Sequence, residues 1–398
     1  MSSLSHEFIY LDHCATTPVD PRVLQSMLPY FSELYGNASS VYHKLGRKSA
    51  EAVDRARSQV AKLINASSKE ITFTSGATEA INQTLKGVFY HYQHIGKHII
   101  TCASEHPAVL DTCNFLNRAG ADITKLATNH LGEISLDDLK QAIRPDTILI
   151  CLMLANNETG VLHPIKQISK IAKEHNILFF CDATQAVGKI PVNVESDGID
   201  LLALSAHKIY GPKGVGALYI KRRRAPIQVG ALIQGGKQEN NLRAGTLNVP
   251  GIVGLGEAAE LAFQSQNEES KRLEQLRDCL EASLLTLPET FVNGNSGNRL
   301  PHVSNMCFRY IRGADIMTQL PQLALSAGAA CASGSRAPSH VLLAMGLSKE
   351  DAESSLRFSL GRTTTKEQIN YAVDLLRTAI TKLRKDSPVW KMYESGLL

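Results

Sequence analysis

Six short apolar runs, most of them separated by helical patterns, occupy residues 71–74, 98–102, 148–154, 177–181, 200–204 and 216–220. Strands that are apolar on both faces belong inside a mainly parallel sheet covered by helices on either side. The intervening helices show the matching period. Val53, Ala56, Val60, Leu63 and Ile64 share one face over 49–64, and further helical segments run over 136–143 and 165–174. Ligands of such sheets sit beyond the carboxyl ends of the strands. Thr74-Ser75-Gly76, Asp182 and Lys208 all fall at such ends, and they are the first place to look for chemistry.

The chain is long for one core, which predicts two domains. A large domain is expected over 17–258. A smaller α+β domain would combine 1–16 with 259–398, where the texture changes to a long polar helix (254–285), a run at 303–308, another at 356–360 and a final amphipathic helix (366–383). Composition argues for an ordinary soluble globular protein, 43% hydrophobic and 20% charged. A net charge of +4 gives no case for nucleic acid as the main ligand. No basic and apolar leader opens the chain, and no apolar run is long enough to span a bilayer. The 8 cysteines are scattered without Cys-x-x-Cys pairs. That pattern argues against a metal knuckle or a disulfide framework and fits a reducing cytosol. Cys151 and Cys181, inside apolar runs, read as buried packing residues.

Three strand ends carry groups that suit one cofactor. A lysine amine can hold the aldehyde of pyridoxal 5'-phosphate as a Schiff base, and a carboxylate can keep its pyridine nitrogen protonated. Lys208 in Ser205-Ala206-His207-Lys208 and Asp182 in Asp182-Ala183-Thr184-Gln185 supply the pair. Thr74-Ser75-Gly76-Ala77-Thr78-Glu79 opens a helix whose N–H groups and hydroxyls form an anion site; ordinary N-capping would explain the same residues taken alone. His106, after another strand, could lie over a pyridine ring and move protons, or be a satisfied structural histidine. Asn157 and Gln185 could meet the phenolic oxygen of the cofactor or merely close turns.

These motifs together resemble the cysteine desulfurases of the NifS/IscS kind, within the class V aminotransferase family on the type I pyridoxal phosphate fold. The resemblance runs from Tyr10-Leu-Asp-His-Cys-Ala-Thr-Thr-Pro through Glu105-His106, Asn156-Asn-Glu-Thr-Gly and Arg243-Ala-Gly-Thr-Leu-Asn to Leu356-Arg-Phe-Ser-Leu-Gly-Arg. It implies Lys208 as the Schiff-base lysine, Asp182 as the pyridinium partner and His106 stacked on the ring. Ala77, Thr78, Ser205 and His207 would hold the phosphate. Thr246 would reach that phosphate from the other subunit of a homodimer. Arg357 would clamp the substrate α-carboxylate, with Asn37 a second candidate; a guanidinium fork suits a carboxylate.

Cys331 separates the reactions available to this fold. It lies among small residues, Ser326-Ala-Gly-Ala-Ala-Cys-Ala-Ser-Gly-Ser, which cannot anchor themselves by packing, and a travelling thiol nucleophile needs such a tether. The resemblance implies sulfur removal from L-cysteine, giving L-alanine and a Cys331 persulfide for an acceptor protein in iron–sulfur assembly, tRNA thiolation or DNA sulfur modification. A selenocysteine lyase, a small-amino-acid aminotransferase and a non-catalytic sulfur-carrier scaffold are the rival readings. Three departures from the family pattern stand out. Ala327, Ala329 and Ala332 replace hydroxyl residues beside the cysteine, Cys14 takes a place usually held by a small non-thiol residue, and Lys237 interrupts a glycine run. The C-terminus is expected to stop short of the tail by which iron–sulfur members engage their scaffold. The cluster Lys221-Arg222-Arg223-Arg224 reads as a solvated hairpin end sooner than a nucleic-acid patch, with docking of a sulfur acceptor between the two.

Overall fold

The structure is a computed structural model and describes residues 8–327 and 337–397. Seven strands form the central sheet: β2 (Ile71–Thr74), β3 (His98–Cys102), β4 (Asp122–Leu126), β5 (Thr147–Cys151), β6 (Leu178–Asp182), β7 (Leu201–Ser205) and β8 (Gly216–Ile220). Their spatial order is β2-β8-β7-β6-β5-β3-β4. Pairing from β7 through β4 is parallel, and β8 runs antiparallel to both of its neighbours. The expected mainly parallel α/β sheet is therefore present. Each of the six apolar runs contributes one strand to it, and β2, β3, β5 and β7 are buried at every residue.

The seventh strand, β4, shows no such run. It is an edge strand with Asp122 and Lys125 exposed and only Leu126 buried, so burial leaves little apolar signature in its sequence.

Helices cover both faces. On one face, α3 (Lys44–Leu63), α7 (Ile165–Glu174) and the first half of α8 (Val249–Leu284) share a core with Ile150, Phe179 and Leu204. On the other, α4 (Ala77–Tyr92) and α5 (Pro107–Arg118) pack on Leu149, Phe180 and Leu218. Helix α8 spans two cores. Leu255 and Ala259 belong to the sheet, whereas Leu273, Leu276, Leu280 and Leu284 join a second cluster.

That second cluster holds an antiparallel sheet of β9 (Thr290–Val292), β10 (Val303–Phe308) and β12 (Ser355–Ser359), ordered β12-β10-β9. Against it pack α9 (Gly313–Gln319) and α12 (Lys366–Asp386). Residues Ile9 and Leu11 lie in the same cluster, and β1 (Ile9–Tyr10) pairs in parallel with β11 (Leu323–Ala324). The remaining helices are α1 (Pro21–Met27), α2 (Pro29–Ser32), α6 (Leu136–Ala142), α10 (His340–Ala344), α11 (Lys349–Glu353) and α13 (Pro388–Glu394). No helix among the described residues is long and apolar enough to cross a membrane.

After β8 the basic cluster is partly engaged. Arg223 pairs with Asp200, and the Arg222 N–H donates to Glu70 Oε1 at 2.8 Å.

Candidate active site

A cavity of about 560 Å³ opens where β2, β7, β6 and the chain beyond β5 end. Glycines bring these ends together. A Cβ on Gly216 would lie 2.5 Å from the Leu204 carbonyl oxygen and 2.7 Å from Gly76 Cα, so only glycine lets β8 pass between them. Gly76 has φ +155° and caps α4 without any side-chain hydrogen bond. The N–H groups of Ala77 and Thr78 at the start of this 16-residue helix thus stay available to an anion, which the helix dipole also favours.

Lys208 sits on a short turn after β7, Ala206–Lys208, and its ammonium donates to the carbonyls of Cys14 and Ala15, the latter at 2.9 Å. Gln185 Nε2 donates to the same Cys14 carbonyl at 3.1 Å. Asp182 is the last residue of β6 and is buried. Its carboxylate accepts the Thr184 N–H at 3.0 Å and the Thr184 hydroxyl, which fixes the group at the cavity floor.

His106 caps α5, its Nδ1 accepting the Ala108 N–H at 3.1 Å. Since Nδ1 is the acceptor, a neutral ring carries its proton on Nε2. Loss of hydration in the cavity lowers the His106 pKa. Asp182 opposes that shift and Lys208 adds to it. His207 is lowered to about 4 by burial and by the charges of Lys208 and Lys213, and its Nδ1 lies 3.1 Å from the Thr16 hydroxyl.

Arg357 comes from β12 of the smaller sheet and closes the cavity wall. Its Nη1 donates to the Asn157 carbonyl at 2.8 Å and its Nη2 to Asp12 Oδ1 at 2.6 Å, while Nε has no protein partner. Asn157 also lines the cavity, and its side-chain Oδ1 is buried without a partner.

Nine of the sequence-predicted residues therefore share one wall with Arg357: Ala77, Thr78, His106, Asn157, Asp182, Gln185, Ser205, His207 and Lys208. Two do not. Asn37 is exposed and its Oδ1 is taken by the Ser39 N–H at 2.9 Å, a local turn that keeps it off the wall. Thr246 is exposed and lies outside the cavity of its own chain. Cys331 lies outside the described residues, but both flanks are held at the site. Ser326 pairs with Arg357 through the backbone, and the Ser339 hydroxyl donates to buried Glu158.

Asp12, Thr16 and Met153 are wall or wall-supporting residues that the sequence reading passed over. The signal for the first two lay inside the quoted Tyr10–Pro18 motif; Met153 carried none beyond its apolar run. Cys102, Cys113, Cys151 and Cys181 are buried and fit packing roles. Burial pushes Cys102 up to about 11 and Cys113 up to about 12, and it raises Cys151 and Cys181 well above the ordinary thiol value.

The residues present fit pyridoxal phosphate. An uncapped helix start suits the phosphate, a fixed carboxylate the ring nitrogen and a lysine the aldehyde, and the Asn157 amide, whose Nδ2 is a donor, lines the same cavity. Residues 9–372 match the aminotransferase class-V family. The cysteine desulfurase IscS of Anaeromyxobacter dehalogenans is 50% identical over 390 residues, 98% of this chain and 96% of that one.

The chain belongs to the cysteine desulfurases of the class-V aminotransferase family.

Among solved structures, a NifS-like protein superposes with a TM-score of 0.87 at 36% identity, covering 94% of this chain and 99% of its own. DndA from Streptomyces lividans gives 0.76 at 37% identity, covering 88% and 99%. Enzymes of this desulfurase family work with pyridoxal phosphate, and the cavity described above is where this member has the groups for it.

Proposed function

We propose that this chain removes the sulfur of L-cysteine, leaving L-alanine and a persulfide on Cys331, with pyridoxal 5'-phosphate held at Lys208. The convergence of Lys208, Asp182 and the uncapped start of α4 on one cavity beside Arg357 carries this reading. When bound, the cofactor supplies an electron sink for charge at the substrate Cα.

The protein's own groups do the rest. Asp182, pinned by Thr184, keeps a proton on the ring nitrogen. Ala77, Thr78, Ser205 and His207 hold the phosphate. Asn157 and Gln185 would hydrogen-bond the ring oxygen of the bound cofactor. Arg357 orients the substrate through its carboxylate. Lys208 takes the Cα proton, and neutral His106 hands protons on and off near pH 7.

The Cys331 thiolate attacks the substrate sulfur. The new S–S bond forms as the C–S bond breaks, and the electron pair stays with the alanine carbon, which takes a proton. No outside oxidant is needed. The outer sulfur then passes to an acceptor thiol, the step shared by iron–sulfur assembly, tRNA thiolation and DNA sulfur modification. Two copies of the chain form a homodimer in which each Thr246 completes the phosphate site of the other.

Replacing Cys331 by Ala should keep the visible absorbance of the bound cofactor and abolish persulfide formation; full sulfur transfer by that variant would refute the assignment. Borohydride reduction and peptide mapping should place the pyridoxyl label on Lys208.

A further inference from the structure

The motif Arg243-Ala-Gly-Thr246 contains a charged residue that the reading above leaves without a task. Arg243 Nε donates to Glu79 Oε1 at 3.1 Å, and the other oxygen of that carboxylate accepts the Ser75 N–H at 2.7 Å. Both side chains are largely shielded, 23% and 7% exposed. Glu79 stands in the first turn of α4, next to Ala77 and Thr78. One carboxylate therefore fastens the phosphate cradle on one side and the chain leading to Thr246 on the other. Burial would raise the Glu79 pKa, but Ser75 and Arg243 outweigh it and hold the group below its ordinary value.

The chain before Arg243 is held in a backbone it would not adopt unaided. Glu239, Asn240 and Asn241 have φ of 47°, 56° and 66°, three consecutive left-handed residues and none of them glycine. Left-handed backbone costs about 1–2 kcal/mol at a residue such as Glu239 and less at asparagine, and a run of three persists only where its surroundings over-determine it. The restraints are on the page. Glu239 is clamped by Arg57 at 2.7 and 2.6 Å and accepts the Phe73 N–H of β2 at 2.7 Å. Gln83 of α4 donates to the Leu242 carbonyl at 2.6 Å. Arg243 adds the side-chain tie to α4, and beyond it the Ala244 N–H donates to the Ile233 carbonyl and the Gly245 N–H to Gln238 Oε1, each at 3.1 Å, before the exposed Thr246.

We propose that Arg243 is a positioning residue which, through Glu79, fixes where Thr246 stands in the phosphate site of the partner subunit. This rests on the composite homodimer site of the preceding section. It adds that the cradle a protomer keeps and the hydroxyl it lends are linked through the Glu79 carboxylate.

The test is equilibrium binding of pyridoxal phosphate to the apoprotein, with sedimentation confirming that each variant is a dimer. The set is wild type, Arg243→Ala, Thr246→Ala and the double variant. Thr246→Ala loses one hydrogen bond to a charged group, so affinity should fall about tenfold or more. Arg243→Ala should weaken binding to a similar extent, and the double variant should be no weaker than the worse single one, because both remove the same contact. Arg243→Lys should recover part of the loss. Should Arg243→Ala fail to fold as a dimer, the cycle is run with Arg243→Lys.

Losses that add, with Thr246→Ala itself weakened, would overturn the role of Arg243 and leave the composite site standing. Wild-type affinity in a dimeric Thr246→Ala protein would remove the composite site and this inference with it.

Discussion

Arg357→Lys tests the substrate end of the site while keeping the charge. A guanidinium has five N–H donors, and Arg357 spends one on the Asn157 carbonyl and one on Asp12. The rest, including Nε, which has no protein partner, can face an incoming carboxylate. A lysine in the same buried place offers a point charge, so one of two charge-assisted bonds to the substrate is lost. Such a bond contributes about 1.5–3 kcal/mol, which corresponds to roughly 10- to 150-fold in binding. The α-carboxylate keeps its charge throughout the reaction, so the loss should appear in KM and leave kcat within a few-fold. Alanine formation against cysteine concentration reads both constants, and cofactor absorbance confirms that the site is intact. Cysteamine, which lacks the carboxylate, supplies the control: the wild type should prefer cysteine over it, and the variant should prefer it much less. An unchanged KM, or a kcat that falls with no rise in KM, would refute the role given to Arg357.

Three further outcomes follow from the geometry. His163 is buried with neither ring nitrogen bonded, and its pKa falls from the ordinary 6.5 to about 4 because burial disfavours the charged ring. As pH drops through that window the unfolded chain takes up a proton that the folded chain refuses. Stability should decline by up to roughly 3 kcal/mol, and His163→Leu should flatten this part of a urea-midpoint profile. Glu239→Ala strands the Arg57 guanidinium and the Phe73 N–H, which should cost about 3–5 kcal/mol as a lowered denaturation midpoint, with Glu239→Gln costing less. Gly216→Ala drives a methyl into the Leu204 carbonyl and the Gly76 backbone. It should cost about 1–3 kcal/mol and release cofactor on dialysis under conditions where the wild type retains it.

How far the sequence speaks depends on how local the cause is. Strands buried on both faces declare themselves as apolar runs, and helix α7 starts and ends where its periodicity does. Helix α3 begins at Lys44, earlier than its apolar face suggests, because His43 caps it by accepting the Gly46 N–H at 3.1 Å. No periodic signal reports a cap of that kind. Helix α13 is short, and only Trp390 among its residues is buried, so it leaves no stripe to read.

The site divides in the same way. Lys208, Asp182 and His106 could be found because each follows an apolar strand, and strand ends converge in this architecture whatever the loops do. Asp12 beside Arg357, and the Cys14 carbonyl beneath Lys208, come from far along the chain, since their bonds join positions separated by 345 and 194. They depend on the N-terminal segment threading between the two cores, and that path is settled by packing. The Arg57–Glu239 pair carries the point further. It covers the outer edge of β2, where Arg57 donates to the Ile71 carbonyl and Glu239 accepts from Phe73, so two side chains do what an eighth strand would do. With side chains closing that edge, the chain after Glu239 ties back to α4 through the Gln83–Leu242 and Arg243–Glu79 bonds on its way to Thr246.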